Sequence, residues 1–109
     1  MASSLAVSTP NVVTRGADLT IVIPTLNECE NLEPLVANIK AALGEVAWEI
    51  IFVDDDSNDG TADIARAFGR VDRRVRCLQR IGRRGLSTAC IEGVLASASP
   101  FVAIMDLAT

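Results

Sequence analysis

The chain has 109 residues, half of them hydrophobic but only 4% aromatic, with a net charge of −4. That length allows one domain, the hydrophobic share excludes a disordered chain, and the acidic balance excludes a generic polyanion binder. Three cysteines (Cys29, Cys77, Cys90), no CxxC spacing and no histidine argue against a structural zinc site and for free, mostly buried thiols in a reducing compartment.

Residues 1–17 are Ser/Thr-rich and weakly periodic, and read as a flexible leader without the basic start and apolar stretch of a signal peptide. Leu19–Ile23 is a first strand closed by Pro24. A helix from about Glu30 to Leu43 follows, capped by Asn27 or Asn31 and ended by Gly44. Trp48–Val53 is a second strand; its apolar run suits a strand buried on both faces. Asn58-Asp59-Gly60 reads as a turn, and Thr61 as the cap of a helix running to Phe68 and closed by Gly69. Val75–Leu78 is a third strand. Leu86–Ala96 is a helix whose inward face is Leu86, Cys90, Ile91, Val94 and Leu95, and Phe101–Met105 is a fourth strand. The order βαβαβαβ predicts an α/β, Rossmann-like parallel sheet, strand order 3-2-1-4, with helices on both faces. The fourth strand stops close to Thr109, so the expected unit is 18–109, a partial domain truncated after that strand. No apolar run reaches the ~18 residues needed to span a bilayer. The chain is expected in the cytoplasm, with docking on the cytoplasmic face of a membrane left open.

Three loops leave the carboxyl ends of strands: Pro24–Glu28, Asp54–Gly60 and Asp106–Thr109. That edge is where ligands bind in open α/β sheets. Clustered acids there hydrogen-bond base and ribose donors, or ligate a hard cation such as magnesium. Asp56, Ser57, Asn58 and Asp59 also suit a turn for purely local reasons. Asp55-x-Ser57-x-Asp59-Gly60 starts like an EF-hand loop, but the twelfth position is Arg66 and a strand precedes it. A glycine-rich dinucleotide fingerprint and a P-loop lysine are both missing. Seven of the ten basic residues fall between Arg70 and Arg84. Arg70–Arg76 are read as a solvated face, with anionic lipid headgroups as the alternative. Arg84, just before the helix start at Gly85-Leu86-Ser87, is read as a phosphate contact.

Pro24-Thr25-Leu26-Asn27-Glu28, Val53-Asp54-Asp55-Asp56-Ser57-Asn58-Asp59-Gly60-Thr61, Gly85-Leu86-Ser87-Thr88-Ala89 and Met105-Asp106 together resemble the family 2 glycosyltransferases. Within them the pattern is most similar to the dolichol- or polyprenol-phosphate mannosyltransferase branch. The resemblance implies the donor-binding part of a GT-A type domain, which transfers mannose or glucose from a nucleotide-diphosphate sugar to a polyprenyl or dolichyl phosphate. It implies that Pro24, Thr25, Asn27 and Glu28 contact the nucleotide and that Asp54 and Asp55 read base and ribose. Asp106 would be the first acid of Asp-x-Asp, touching ribose and the metal. The second acid is replaced by Ala108, so Mg2+ or Mn2+ is expected to bind weakly or not at all. An inactive nucleotide-binding or structural remnant of the fold is the other reading. Peripheral membrane contact and self-association are further expectations; nucleic acid is not an expected partner.

Overall fold

The computed structural model describes residues 17–82 and 85–107. The proposed leader therefore lies almost wholly outside the described residues, as do Arg83, Arg84 and Ala108.

Among the described residues four parallel strands alternate with three helices: β1 (Leu19–Thr25), α1 (Leu32–Leu43), β2 (Trp48–Asp54), α2 (Thr61–Val71), β3 (Val75–Gln79), α3 (Leu86–Ala96) and β4 (Phe101–Ile104). The sheet order is β3-β2-β1-β4, as the sequence pattern predicts. The register places Thr25 beside Asp54, Asp54 beside Gln79, and Val22 beside Ile104. All strands thus end together on one edge.

Alternate residues on β1 and β2 feed two cores, as a period of two requires. Ile21, Ile23, Trp48, Ile50 and Phe52 pack against Leu32, Val36 and Ile39 of α1 and Ala65 of α2. Val22, Ile51 and Val53 pack on the opposite face against Ala89 of α3. No described helix is long and apolar enough to cross a membrane.

Several boundaries differ from the sequence reading. Helix α1 begins at Leu32 because the Asn31 N–H donates to the Glu28 carbonyl (2.9 Å), making a turn of residues 28–31. Asn31 does not cap; its Nδ2 donates to Glu28 Oε1 (2.8 Å). Pro34 sits in the first turn, where its missing N–H has no intrahelical partner to lose. Thr61 is the first residue of α2, not its cap. The N-cap position is Gly60, and the Thr61 N–H donates to Asp59 Oδ1 (3.0 Å). Gly69 does not close α2, which runs on to Val71; a Cβ at Gly69 would lie 2.8 Å from the Val75 carbonyl oxygen, so the glycine permits the helix to touch β3.

The largest correction concerns α3. The expected inward face is mostly outside: Leu86, Ile91, Val94 and Leu95 are exposed, and the buried residues are Ala89 and Gly93. Small residues let this helix lie close on the sheet. Strand β4 is also exposed along its length, so Leu95, at 78% accessibility, and Phe101, at 71%, stand on an open apolar surface. All three cysteines are free, as expected, and half-buried.

Candidate functional site

The loops after β1 and β2 are latched before they present anything to a ligand. Asn27 adopts φ 55°, a left-handed conformation that asparagine tolerates. Its N–H donates to Ser57 Oγ (2.8 Å), while its Oδ1 accepts the Asn58 N–H (3.1 Å). The Glu28 N–H donates to Thr61 Oγ1 (3.0 Å), and the Cys29 N–H to Asp59 Oδ2 (3.1 Å). Asp59 therefore joins the first loop to the start of α2. Hydrogen bonding, foremost from the Thr61 hydroxyl, holds its carboxyl down to about 2.

Asp54 is fully buried and works inside the second loop. Its Oδ1 accepts from the Thr25 hydroxyl (2.7 Å) and the Ser57 hydroxyl (2.6 Å), and its Oδ2 from the Ser57 N–H (2.9 Å). A buried carboxylate with three internal donors ties strand ends together.

Beside this latch lies a pocket of about 300 Å³, lined by Pro24, Thr25, Leu26, Glu28, Asp55, Gly85, Leu86 and Asp106. Of the residues expected in the site, the structure brings together Pro24, Thr25, Glu28, Asp55 and Asp106. Asn27 and Asp54 do not line it; they fix the loops that do. Arg84 lies outside the described residues. Leu26, Gly85 and Leu86 are additional lining residues, and the segment Gly85-Leu86-Ser87 was the sequence signal for the last two.

Asp55 is held on both carboxylate oxygens. Its Oδ1 accepts from Arg80 Nε (2.6 Å) and its Oδ2 from the Gly85 N–H (3.2 Å). Arg80 belongs to the same basic segment, beyond the Arg70–Arg76 stretch read as a solvated face, and it is 1% exposed. The remaining basic residues divide. Arg74 pairs with Asp72 and lies 3.9 Å over the Trp48 ring, and Arg76 pairs with Glu49 (2.6 Å), while Arg70 and Arg73 face solvent. Arg74 hydrogen bonding holds the Asp72 carboxyl well below the usual carboxylate range, whereas burial pushes the Cys77 thiol up to about 11.

Among the described residues the pocket's charged lining is acidic: Glu28, Asp55 and Asp106. Such a wall accepts N–H and O–H donors. A diphosphate set beside Asp106 would be repelled without a cation between them. Among the described residues no three His, Cys, Asp or Glu side chains converge as a metal cage. A cation shared with diphosphate oxygens, with Asp106 as its protein carboxylate, would suit this donor set.

The glycosyl transferase family 2 profile matches residues 20–107. A dolichol-phosphate mannosyltransferase of Pyrococcus furiosus is 38% identical over 88 residues, which are 81% of this chain and 25% of that protein. One from Saccharomyces cerevisiae is 32% identical over 92 residues, 82% of this chain and 34% of its own. The chain thus spans about a quarter to a third of the length of these relatives. Among solved structures, a mannosyltransferase from Pyrobaculum calidifontis in complex with GDP-Man and Mn2+ superposes with a TM-score of 0.70 at 24% identity, covering 85% of this chain and 28% of that one. Glucosyl-3-phosphoglycerate synthase from Mycobacterium tuberculosis, with Mn2+, UDP and glucosyl-3-phosphoglycerate, gives 0.65 at 24% identity over 88% and 35%.

Proposed function

The chain belongs to glycosyl transferase family 2, and from that premise we propose that residues 18–109 form the donor-binding part of a nucleotide-sugar-dependent glycosyltransferase. The sugar would be mannose or glucose, and the acceptor a polyprenyl or dolichyl phosphate at the cytoplasmic face of a membrane. The observation that carries the reading is the pocket: Pro24, Thr25, Glu28, Asp55 and Asp106, from the three segments that follow β1, β2 and β4, meet around about 300 Å³ at the carboxyl edge of the sheet.

In this reading Asp55, fixed by Arg80 and Gly85, accepts hydrogen bonds from base or ribose donors. The turn from Pro24 to Glu28 forms the opposite wall, and the buried Asp54 keeps both walls at one spacing. Asp106 would hold a divalent cation together with the diphosphate, and that cation would supply countercharge to the departing nucleotide. A phosphate acceptor is already anionic, so transfer requires its positioning more than its deprotonation. A second reading, nucleotide binding without transfer, is favoured by the lack of a convergent acid cluster among the described residues.

Calorimetry with GDP, UDP, GDP-mannose and UDP-glucose, each with and without Mn2+, tests the proposal. Binding of a nucleoside diphosphate that strengthens with Mn2+ supports it; no heat with any of the four at millimolar concentration refutes it. Transfer of labelled sugar to a polyprenyl phosphate then separates the two readings.

A further inference from the structure

Arg80 does not line the pocket, yet two residues that do are bonded to it. Its Nε donates to Asp55 Oδ1 (2.6 Å), its Nη2 to the Gly85 carbonyl (3.0 Å), and its Nη1 to Thr88 Oγ1 (2.9 Å) and Glu92 Oε2 (2.8 Å). The Gly85 N–H returns to Asp55 Oδ2 (3.2 Å), closing a ring of three residues: Arg80, Asp55 and Gly85. The guanidinium is almost wholly buried. Bonds to Asp55 first, then Glu92, hold its charge above the ordinary arginine range.

Three properties set this apart from a chance ion pair. The acceptors surround one planar fork, which an ammonium on a single nitrogen cannot match. They come from two places in the fold: Asp55 directly after β2, and Gly85, Thr88 and Glu92 from the cap and first two turns of α3. The backbone is placed as well, because the Arg80 N–H donates to the Asp54 carbonyl (2.8 Å). Burying a cation so completely is costly unless its partners are fixed.

We propose that Arg80 is the positioning residue of the donor pocket, acting through Asp55. It sets the direction of that carboxylate and the distance between the β2 end and the start of α3, and hence the width of the pocket. This rests on the donor-pocket reading for its ligand, but not for its geometry.

The test uses Arg80→Lys, which keeps the charge and loses the fork, in the wild-type and Asp55→Asn backgrounds. Amide exchange by NMR reads the ligand-free protein. The Gly85 amide should exchange at least about ten-fold faster in Arg80→Lys, as for a lost charged contact, while the β2 amides of Ile51 and Phe52 hold their rates. GDP affinity with Mn2+ should fall about ten-fold in the wild-type background and by less than about two-fold with Asp55→Asn present, since both changes act on one carboxylate. Equal losses in the two backgrounds overturn the proposal. So does an unchanged Gly85 rate, or one that rises in step with Ile51 and Phe52. If wild-type protein binds neither GDP nor UDP, the donor-pocket reading fails, and Gly85 exchange still decides the role of Arg80.

Discussion

Gly93 is where α3 lies closest to the sheet, and replacing it tests that packing directly. A Cβ there would stand 2.3 Å from Val22 Cγ1 and 3.1 Å from both Val22 Cγ2 and Val53 Cγ2. Val22 and Val53 are fully buried and β-branched, so neither can swing aside. In an open helix Gly→Ala would gain about 1 kcal/mol from propensity. Overpacking of this kind costs about 1–3 kcal/mol. With a contact far inside van der Waals distance the upper half of that range applies, so Gly93→Ala should lose about 1–2 kcal/mol net. The single tryptophan, Trp48, is buried in the opposite core and reports unfolding in urea. The midpoint should drop with an unchanged slope. Val22→Ala makes room for the new methyl, so the double variant should lose less than the two single losses added. The displaced helix would also carry Thr88 and Glu92 away from Arg80, and nucleotide affinity should fall in parallel. A neutral or stabilising Gly93→Ala, or strict additivity with Val22→Ala, would refute the close-packed account.

Asp55→Ala should weaken nucleoside-diphosphate binding by about 1–3 kcal/mol, the loss of a charged hydrogen bond, and calorimetry measures it; an unchanged affinity removes Asp55 from the site. Asp59 has a folded value of about 2 against an ordinary 3.8, so its stabilising effect is fully present above about pH 4 and is lost as pH falls through 2. Urea midpoints across that window should fall less steeply in Asp59→Asn, and identical slopes would contradict the latch. The open apolar surface of Leu95, Phe101 and Ile104 should drive self-association, visible by light scattering, and a monodisperse monomer at high concentration would count against it.

The sheet was legible because its signals are physical and local. Ile50–Val53 is apolar without alternation, which fits a strand covered on both faces, and the first, second and fourth strands run into a proline or an acid. The packing of α3 was not legible. Its hydrophobic residues suggest an inward face, but close approach selects Ala89 and Gly93, and nothing local shows that Val22 and Val53 will press against them. Within the site, residue types were readable and their division of labour was not. Asp54 and Asp55 are neighbours, yet one closes on Thr25 and Ser57 inside the loop while the other reaches the pocket. Arg80 looked like one more member of a basic segment; only the placement of Asp55 and Glu92 around it explains its burial.

The parallel register has a thermodynamic consequence. Thr25, Asp55, Gly85 and Asp106 meet in one pocket though each leaves a different part of the chain. No pair of adjacent elements contains that pocket, so it exists only once all three crossovers have closed. Partly unfolded forms that release β4 or α3 lose a wall and bind nothing there. A ligand of this pocket therefore acts on the whole cooperative unit. At a hundred times its dissociation constant it would raise global stability by about 2.7 kcal/mol. The same linkage would slow amide exchange at Trp48 and Ile50, toward the opposite end of β2 from the pocket.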